Sequence, residues 1–188
     1  DCLKKLGVQA TSNLTHVIYA LRHNQEAIKI AVRKTDEIRQ IIENVTGRTL
    51  PPDWIPLNIH CSNCGRLDTE IVDHEYPHVT YQCSCGHKET VDISVKGTCK
   101  LPWRVDWPAR WKIFHVTFEA FGKDHAAAGG SWETGRILSE KIFDYPPPMP
   151  LVYEFIHLKG RGAMHGSTGT AISAEEMLQM TPPEVLRF

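Results

Sequence analysis

No apolar run in this 188-residue chain is long enough to cross a bilayer, and no charged leader followed by an apolar stretch marks a secretory signal. Net charge is also nearly absent, because 21 Lys and Arg residues balance 22 Asp and Glu residues. The chain therefore lacks the broad basic surface that attracts nucleic acid by bulk charge, and any RNA contact has to be local. With 41% hydrophobic residues, it can bury the core of one or two modules.

Four of the six cysteines have the spacing of a metal site. They form two pairs, each followed by a glycine: Cys61, Cys64 and Gly65, then Cys83, Cys85 and Gly86. Four thiolates on two tight turns suit tetrahedral zinc, and such a closed site has a structural rather than a catalytic role. The second pair has one spacer residue where two are commoner. The alternatives are free or disulfide-bonded cysteines, or substitution by a neighbouring histidine among His74, His78 and His87.

This cysteine usage favours a reducing cytoplasm, with Cys2 and Cys99 as ordinary unpaired thiols. The residues around the four cysteines, 51–99, alternate in polarity as short antiparallel strands do, at Thr69–Val72, Val79–Gln82 and Thr90–Ile93. We therefore expect a zinc ribbon over 51–99.

Residues 1–50 have a helical pattern that Pro51 and Pro52 break. One apolar face is formed by Leu14, Val17, Ile18 and Leu21, and a second by Ile38, Ile41, Ile42 and Val45. The second helix is expected to begin at Thr35 or Asp36 and to end at Gly47. This segment is predicted to be a helical hairpin or three short helices.

Strands and helices alternate from residue 100 onward. The pattern predicts a buried strand over Trp111–Phe118, a helix over Thr134–Phe143, a strand over Leu151–Leu158, and a helix that starts at the N-cap Ser173. Polar side chains follow the strands, as in open α/β sheets that bind nucleotides. We expect an enzyme half-domain over 100–188.

Three motifs in this part resemble class I lysyl-tRNA synthetases. They are the Trp-rich block Trp103–Trp111, the Gly122-Lys123-Asp124-His125 turn followed by Gly129-Gly130-Ser131, and Tyr153-Glu154 before a glycine-rich loop. The resemblance covers about residues 54–185. It implies an α/β fold with a partial Rossmann-type nucleotide-binding sheet, an inserted helical segment and a small β zinc ribbon.

The resemblance implies that Trp103, His125 and Tyr153 line the amino-acid pocket, with Asp124 directed toward the nucleotide or adenylate. An aromatic wall suits lysine because it covers the alkyl stem and attracts the ammonium group by about 1–2 kcal/mol. Gly122 would allow the tight turn, and Gly129 and Gly130 would let ATP approach the backbone. The alternatives are core packing for Trp103, Trp107 and Trp111, and a turn and helix-capping role for Asp124 and His125. Ser131 and Thr134 are expected to cap the following helix.

Class I synthetases carry a mobile Lys-Met-Ser-Lys-Ser type loop whose lysines offset charge on the ATP phosphates. The matching stretch here supplies Met164, His165, Gly166 and Ser167, with Lys159 and Arg161 upstream. The expected cations are missing, because Ala163 and Thr168 stand at lysine positions and His165 at a serine position. We expect a weakened phosphate clamp; the alternative is a flexible linker.

The family's His-Ile-Gly-His type signature is not found in this sequence. The chain is therefore expected to be a piece of a longer polypeptide, containing the second half of the catalytic domain. The implied activity is ATP- and Mg²⁺-dependent activation of L-lysine and its transfer to tRNA-Lys, with structural zinc and with no activity from the piece alone. The alternative is a non-catalytic module that binds tRNA or a protein partner. A different amino-acid specificity is disfavoured by the block from Gly122 to Gly130.

Overall fold

The computed structural model describes residues 2–14, 19, 22–95, 97–160, 162–164, 166 and 169–187. Its secondary structure is α/β, with several small sheets. The chain divides into two compact units, Leu14–Tyr153 and the pair of segments Asp1–Asn13 and Glu154–Phe188. Within the described ranges, no helix combines the length and the apolar character needed to span a membrane.

The elements follow one another in mixed order. The helices are α1 Cys2–Lys5, α2 Arg22–Arg33, α3 Thr35–Thr46, α4 Trp103–Phe114, α5 Lys123–Ala126, α6 Ser131–Lys141, α7 Ala174–Met180 and α8 Pro183–Arg187. The strands are β1 Asn58–Ile59, β2 Thr69–Glu75, β3 His78–Cys83, β4 Lys88–Asp92, β5 Cys99–Lys100, β6 Phe118–Gly122, β7 Met149–Tyr153, β8 His157–Leu158 and β9 Gly162–Ala163.

Helices α2 and α3 form the predicted helical segment. α3 begins at Thr35 and ends before Gly47, whose left-handed backbone at φ +67° lets its N–H bond the Glu43 carbonyl. Both termini of this helix therefore match the sequence prediction. The first predicted apolar face rests on Val17, Ile18 and Leu21, which lie outside the described residues.

Residues 69–92, which include the second cysteine pair, fold into an antiparallel sheet of order β2-β3-β4. All three predicted strands are present and somewhat longer than predicted. On β3, Val79, Tyr81 and Cys83 are buried and alternate with more exposed residues, which is the pattern of a sheet covered on one face.

One large hydrophobic core joins this sheet to the helices of the same unit. Its fully buried members include Ile28 and Ile38 on the helical segment, Val79 and Tyr81 on the sheet, and Val105 on α4. The short strands β1 and β5 flank the sheet along the chain and pair with each other, with Ile59 opposite Cys99, so that β5 leads from the sheet to α4. The sheet is therefore not packed as an independent module.

The predicted buried strand over Trp111–Phe118 is wrong. Helix α4 runs to Phe114, and His115 ends it with a left-handed backbone at φ 51°, before β6 begins at Phe118. The error has a physical cause, because α4 is buried on more than one face and so lacks the polar side that marks an amphipathic helix.

Strands β6 and β7 pair in parallel, with Gly122 opposite Tyr153. The second predicted strand, Leu151–Leu158, is only partly correct, because β7 ends at Tyr153. In the other unit, β8 pairs with β9 as an antiparallel hairpin. The predicted N-cap Ser173 is confirmed: its hydroxyl accepts a hydrogen bond from the Glu176 N–H at 3.2 Å, and the Glu176 carboxylate accepts one from the Ser173 N–H at 2.8 Å.

A buried polar cluster fixes the start of α4. Asp106, which is 4% exposed, accepts a hydrogen bond from the Tyr19 hydroxyl and forms an ion pair with Arg110 at 2.6 Å. The Tyr19 hydroxyl in turn accepts the Leu101 N–H at 3.1 Å. Burial, and then the Asp106 carboxylate, raise the pKa of Tyr19 well above its usual range, so it remains a donor at any ordinary pH.

Replacing Tyr19 with Phe should lower the free energy of unfolding by about 1–3 kcal/mol, because the buried Asp106 carboxylate and the Leu101 N–H each lose a partner. Chemical denaturation monitored by circular dichroism measures this change. Tyr153→Phe is the matched control, since Tyr153 is 55% exposed. An unfolding free energy equal to that of the unchanged protein would contradict a stabilising role for this cluster.

Candidate functional site

The residues expected in the amino-acid site gather where the parallel strands end. Asp124 and His125 lie on the short helix α5, directly after β6, as predicted. Tyr153 is the last residue of β7 and lies beside Gly122. Since the carboxyl ends of neighbouring parallel strands meet at one edge of a sheet, these residues share that edge.

Trp103 and His125 are in contact at this edge. Their ring centroids are 6.1 Å apart, and Trp107 lies 5.4 Å from Trp103 in a stacked arrangement and 5.5 Å from His125. Trp103 is 51% exposed, whereas Trp107 is 7% exposed. The outermost indole therefore presents a face to solvent while the ring behind it is fixed by packing.

Trp107 and Trp111 are core residues. Together with Phe121 they form a second buried cluster. Trp132 packs against this cluster, with its ring centroid 4.7 Å from that of Phe121. The packing alternative for Trp107 and Trp111 is thus the one observed.

Glu119 anchors this aromatic cluster, and sequence reasoning missed it. Its carboxylate accepts the indole N–H of Trp107 at 3.2 Å and that of Trp111 at 2.7 Å. A carboxylate inside the otherwise apolar strand Phe118–Gly122 was the available signal, because a partly buried charge needs partners.

Tyr153 borders the site from the adjacent strand. Its ring carbon Cε2 lies 3.7 Å from the place that a Cβ on Gly122 would occupy, which is ordinary van der Waals distance, so the ring packs beside Gly122. The structure therefore brings Trp103 and His125 into direct ring contact and places Tyr153 at the same strand edge. Asp124 is exposed there.

The backbone conformation and packing of the chain itself explain why positions 129 and 130 are glycine. Gly129 has φ +71°, and a Cβ on Gly130 would lie 2.5 Å from the Ala127 carbonyl oxygen and 2.6 Å from that of His125. Close approach of ATP is not needed to explain either residue.

The sequence did not indicate that Arg104 binds this turn. Its Nη1 donates hydrogen bonds to the Gly129 carbonyl at 3.3 Å and to the Thr134 hydroxyl at 3.1 Å.

The expected capping of α6 by Ser131 or Thr134 is wrong. Gly130 is the N-cap residue, and no side chain caps the helix. Thr134 instead donates to the Gly130 carbonyl at 3.0 Å, and the Ser131 hydroxyl lies 3.4 Å from Nδ1 of His125. Ser131 thus bonds the candidate pocket histidine rather than the helix terminus.

The four cysteine sulfurs form one compact cluster. The Sγ atoms of Cys61, Cys64, Cys83 and Cys85 all lie within 4.8 Å of one another. Hydrogen bonds from the backbone and guanidinium of Arg66 lower the pKa of Cys64 to about 6. A backbone hydrogen bond from His87 lowers the pKa of Cys85 as well, whereas Cys83 behaves differently. The Cys85 backbone lowers its pKa, but burial and the neighbouring thiols outweigh that contribution and raise it to about 11.

This donor set fits a single tetrahedral zinc ion. Sulfur ligands on two short turns within one ion's reach are the arrangement that structural zinc prefers, and the lowered pKa values of Cys64 and Cys85 are shifts toward the thiolate that binds metal. The histidines near the cluster are not among its four donors.

A sequence model of the family described as tRNA synthetases class I (K) matches residues 1–188. The chain belongs to this family. Similar proteins include lysine–tRNA ligase 1 of Methanosarcina acetivorans, 46% identical over 191 residues, an alignment that covers 100% of this chain and 36% of that protein. The lysine–tRNA ligase of Thermoplasma volcanium is 43% identical over 189 residues, with 100% and 37% covered. That of Archaeoglobus fulgidus is also 43% identical over 189 residues, with 100% and 38% covered.

The resemblance to class I lysyl-tRNA synthetases is therefore confirmed. The chain spans about a third of the length of the curated relatives it matches. The chain therefore corresponds to one part of such a ligase.

The loop that matches the synthetase phosphate loop follows a hairpin. Lys159 is exposed in the turn of β8–β9, and the Met164 N–H bonds the Ile156 carbonyl at 2.8 Å. Gly166 accepts a hydrogen bond from the Gly169 N–H at 3.2 Å. The predicted loop residues His165 and Ser167 lie outside the described residues. Met164 is thus tied to the hairpin by its backbone, while Lys159 is free to extend into solvent.

Replacing Glu119 with Ala should destabilise this unit by about 1–3 kcal/mol for each indole N–H left without an acceptor, and it should shift tryptophan fluorescence to longer wavelength as the cluster loosens. Glu119→Gln should cost less, because its carbonyl oxygen still accepts one N–H. Glu140→Ala, at an exposed position on α6, is the control. If fluorescence and denaturation midpoint stay unchanged in Glu119→Ala, the carboxylate does not hold the tryptophans.

Proposed function

We propose that this chain forms part of a lysine–tRNA ligase and supplies the amino-acid side of its catalytic centre. The observation that carries the proposal is the half-exposed Trp103, stacked on Trp107 and in contact with His125 at the carboxyl ends of two parallel strands. Family membership and relatives named lysine–tRNA ligase support it.

Each proposed role follows from the chemistry of the side chain. The Trp103 and Tyr153 rings would cover the alkyl stem of lysine and face its ammonium group, an attraction of about 1–2 kcal/mol when water is excluded. His125, held near the Ser131 hydroxyl, would border the reacting carboxylate, and Asp124 would face the nucleotide. Gly122 would allow the Tyr153 ring to pack beside it.

ATP and Mg²⁺ are the proposed cosubstrates, and tRNA-Lys the acceptor. In the reaction, the lysine carboxylate attacks the α-phosphate and pyrophosphate leaves, so cations near the departing phosphates lower the barrier. Among the proposed loop residues Met164, His165, Gly166 and Ser167, none is a lysine, which leaves Lys159 as the proposed cation. We therefore propose a weakened phosphate clamp, and no adenylate formation by this chain alone.

Strands β6 and β7 are proposed to belong to a larger Rossmann-type sheet. Parallel sheets are normally covered on both faces, yet Met149, Leu151 and Val152 are 65%, 51% and 48% exposed. These apolar side chains support packing against other parts of the ligase.

The sheet β2-β3-β4 is proposed to be a zinc ribbon that holds a structural zinc on Cys61, Cys64, Cys83 and Cys85.

The alternative is a non-catalytic module that binds tRNA or a protein partner through the ribbon. Its charge disfavours tRNA, because residues 51–99 contain seven acidic residues (Asp53, Asp68, Glu70, Asp73, Glu75, Glu89, Asp92) and three basic ones (Arg66, Lys88, Lys96). The Trp103 site would also have no purpose in such a module.

Lysine binding tests the amino-acid site directly. L-Lysine and a sulfamoyl analogue of lysyl-adenylate should raise the melting temperature of the chain, and L-leucine should not. Trp103→Ala should weaken lysine binding about 5- to 30-fold, the equivalent of the lost cation–π attraction, as measured by isothermal titration calorimetry. Phe118→Ala, which removes a ring that is 49% exposed at the other end of β6, should leave binding unchanged. Equal lysine affinity in Trp103→Ala and the unchanged chain would contradict the assignment of the site.

Zinc removal tests the ribbon. The purified chain should contain one zinc ion by elemental analysis, and chelation or Cys83→Ser should loosen the two cysteine turns, seen as faster amide hydrogen exchange at residues 61–65 and 83–86. Zinc supplies about 10–16 kcal/mol in small isolated fingers, but here β3 shares its core with the helices, so global unfolding is not expected. Cys2→Ser, outside the cluster, is the control. A chain that contains no zinc and is unaffected by chelators would refute the metal site.

A further inference from the structure

A hydrogen-bond network ties the first cysteine turn to the sheet beneath it. The Ser62 N–H donates to the Tyr81 hydroxyl at 3.0 Å, and the Ser62 and Tyr81 hydroxyl oxygens lie 3.2 Å apart. Both hydroxyls donate hydrogen bonds to the same carboxylate oxygen, Oε2 of Glu89. The distance from the Tyr81 hydroxyl to this oxygen is 3.1 Å. Ser62 stands between the cysteines of the first pair, so the network acts on the backbone of the turn that carries Cys61 and Cys64.

The partners of Ser62 are held rigidly. Tyr81 is 0% exposed and belongs to the large core, while Glu89 lies directly opposite it on β4. Core packing therefore sets the position of the Tyr81 ring, and Glu89 faces it from the paired strand. The turn is fixed to that frame at one backbone N–H and one side-chain hydroxyl.

The same residues do not have the geometry of a catalytic triad. In a Ser-His-acid relay, the histidine uses one ring nitrogen for the serine and the other for the acid. Here Nε2 of His87 is 3.1 Å from the Ser62 hydroxyl and 3.3 Å from the Glu89 carboxylate, so one nitrogen faces both groups. The Ser62 hydroxyl moreover donates directly to Glu89. Hydrolytic chemistry is therefore not supported.

We propose that Tyr81 and Glu89 are positioning residues for the metal centre, which hold the Cys61–Cys64 turn in its metal-binding conformation before the ion arrives. This inference rests on the proposed zinc site. The sulfur pairs Cys61–Cys85 and Cys64–Cys83 are each 3.7 Å apart, which places donors of both turns together. A turn ordered in advance loses less conformational entropy on binding, and partners outside the ligand sphere typically change metal affinity about 10- to 100-fold.

Cobalt and zinc titrations of the full chain test the proposal. Tyr81→Phe keeps the buried ring and removes only the hydroxyl, so Co²⁺ and Zn²⁺ affinities, measured by visible absorption and by chelator competition, should fall about 10- to 100-fold. Glu89→Gln should reduce the affinities in the same direction. The absorption bands of a four-thiolate cobalt site should persist at saturation in both variants, because all four ligands remain.

The matched control lies on the same two strands. Thr80 and Thr90 share a hydroxyl–hydroxyl hydrogen bond of 2.7 Å in the neighbouring register, away from the cysteine turn. Thr80→Val removes that bond, and its metal affinity should stay within about twofold of the unchanged chain, because no contact with the turn is lost. Metal affinities of Tyr81→Phe and Glu89→Gln equal to that of Thr80→Val would overturn the positioning role.

Two further outcomes are separable. If Tyr81→Phe does not fold by circular dichroism, Ser62→Ala decides, since this change at an exposed position removes the hydroxyl bonds without touching the core. Reduced affinity in Ser62→Ala supports the network, and unchanged affinity overturns it. Failure of the unchanged chain to bind Co²⁺ or Zn²⁺ would instead overturn the proposed metal site itself.

Discussion

Helix α4 is packed from two directions, and the candidate site depends on that packing. Val105 and Ala109 enter the large core, while Trp107 and Trp111 enter the aromatic cluster. The Asp106 carboxylate fixes the start of the helix through Tyr19 and Arg110, and Glu119 fixes the two buried indoles from β6. The backbone of Trp103, in the first turn, is therefore held by the contacts of its helix neighbours, and its ring stacks on the buried Trp107. The exposed ring is a surface feature supported by a rigid interior.

The β2-β3-β4 sheet and the aromatic cluster are linked through the backbone. β5 pairs with β1 and is followed within two residues by the first turn of α4. Cys61, Cys83, Cys99 and Val105 all belong to one buried cluster. Packed side chains and a short strand pair thus connect the cysteine turns to the beginning of α4. A structural metal on the cysteines would stabilise this connection without approaching the proposed amino-acid site.

Sequence reasoning succeeded where local chemistry fixes local structure. The cysteine spacing indicated the cluster, Gly47 and Ser173 indicated helix termini, and the alternation around Val79 indicated a strand. It failed where tertiary contacts decide. The run after Trp111 has the composition of a buried strand because α4, buried on several sides, has no polar face to reveal its period. Ser131 stands where a helix cap is expected, but its hydroxyl lies near the ring of His125, a contact that the local sequence does not indicate.

The contacts of Glu119 and Arg104 also escape the sequence pattern, since their partners lie on other elements and meet them only in the folded chain. Gly130 is required by the backbone around it rather than by a ligand. A side chain there would collide with two backbone oxygens, which cannot move aside as a flexible side chain can. In a mutational scan, position 130 would report on whether the polypeptide reaches its native state, and a loss of growth there would reveal nothing about substrate.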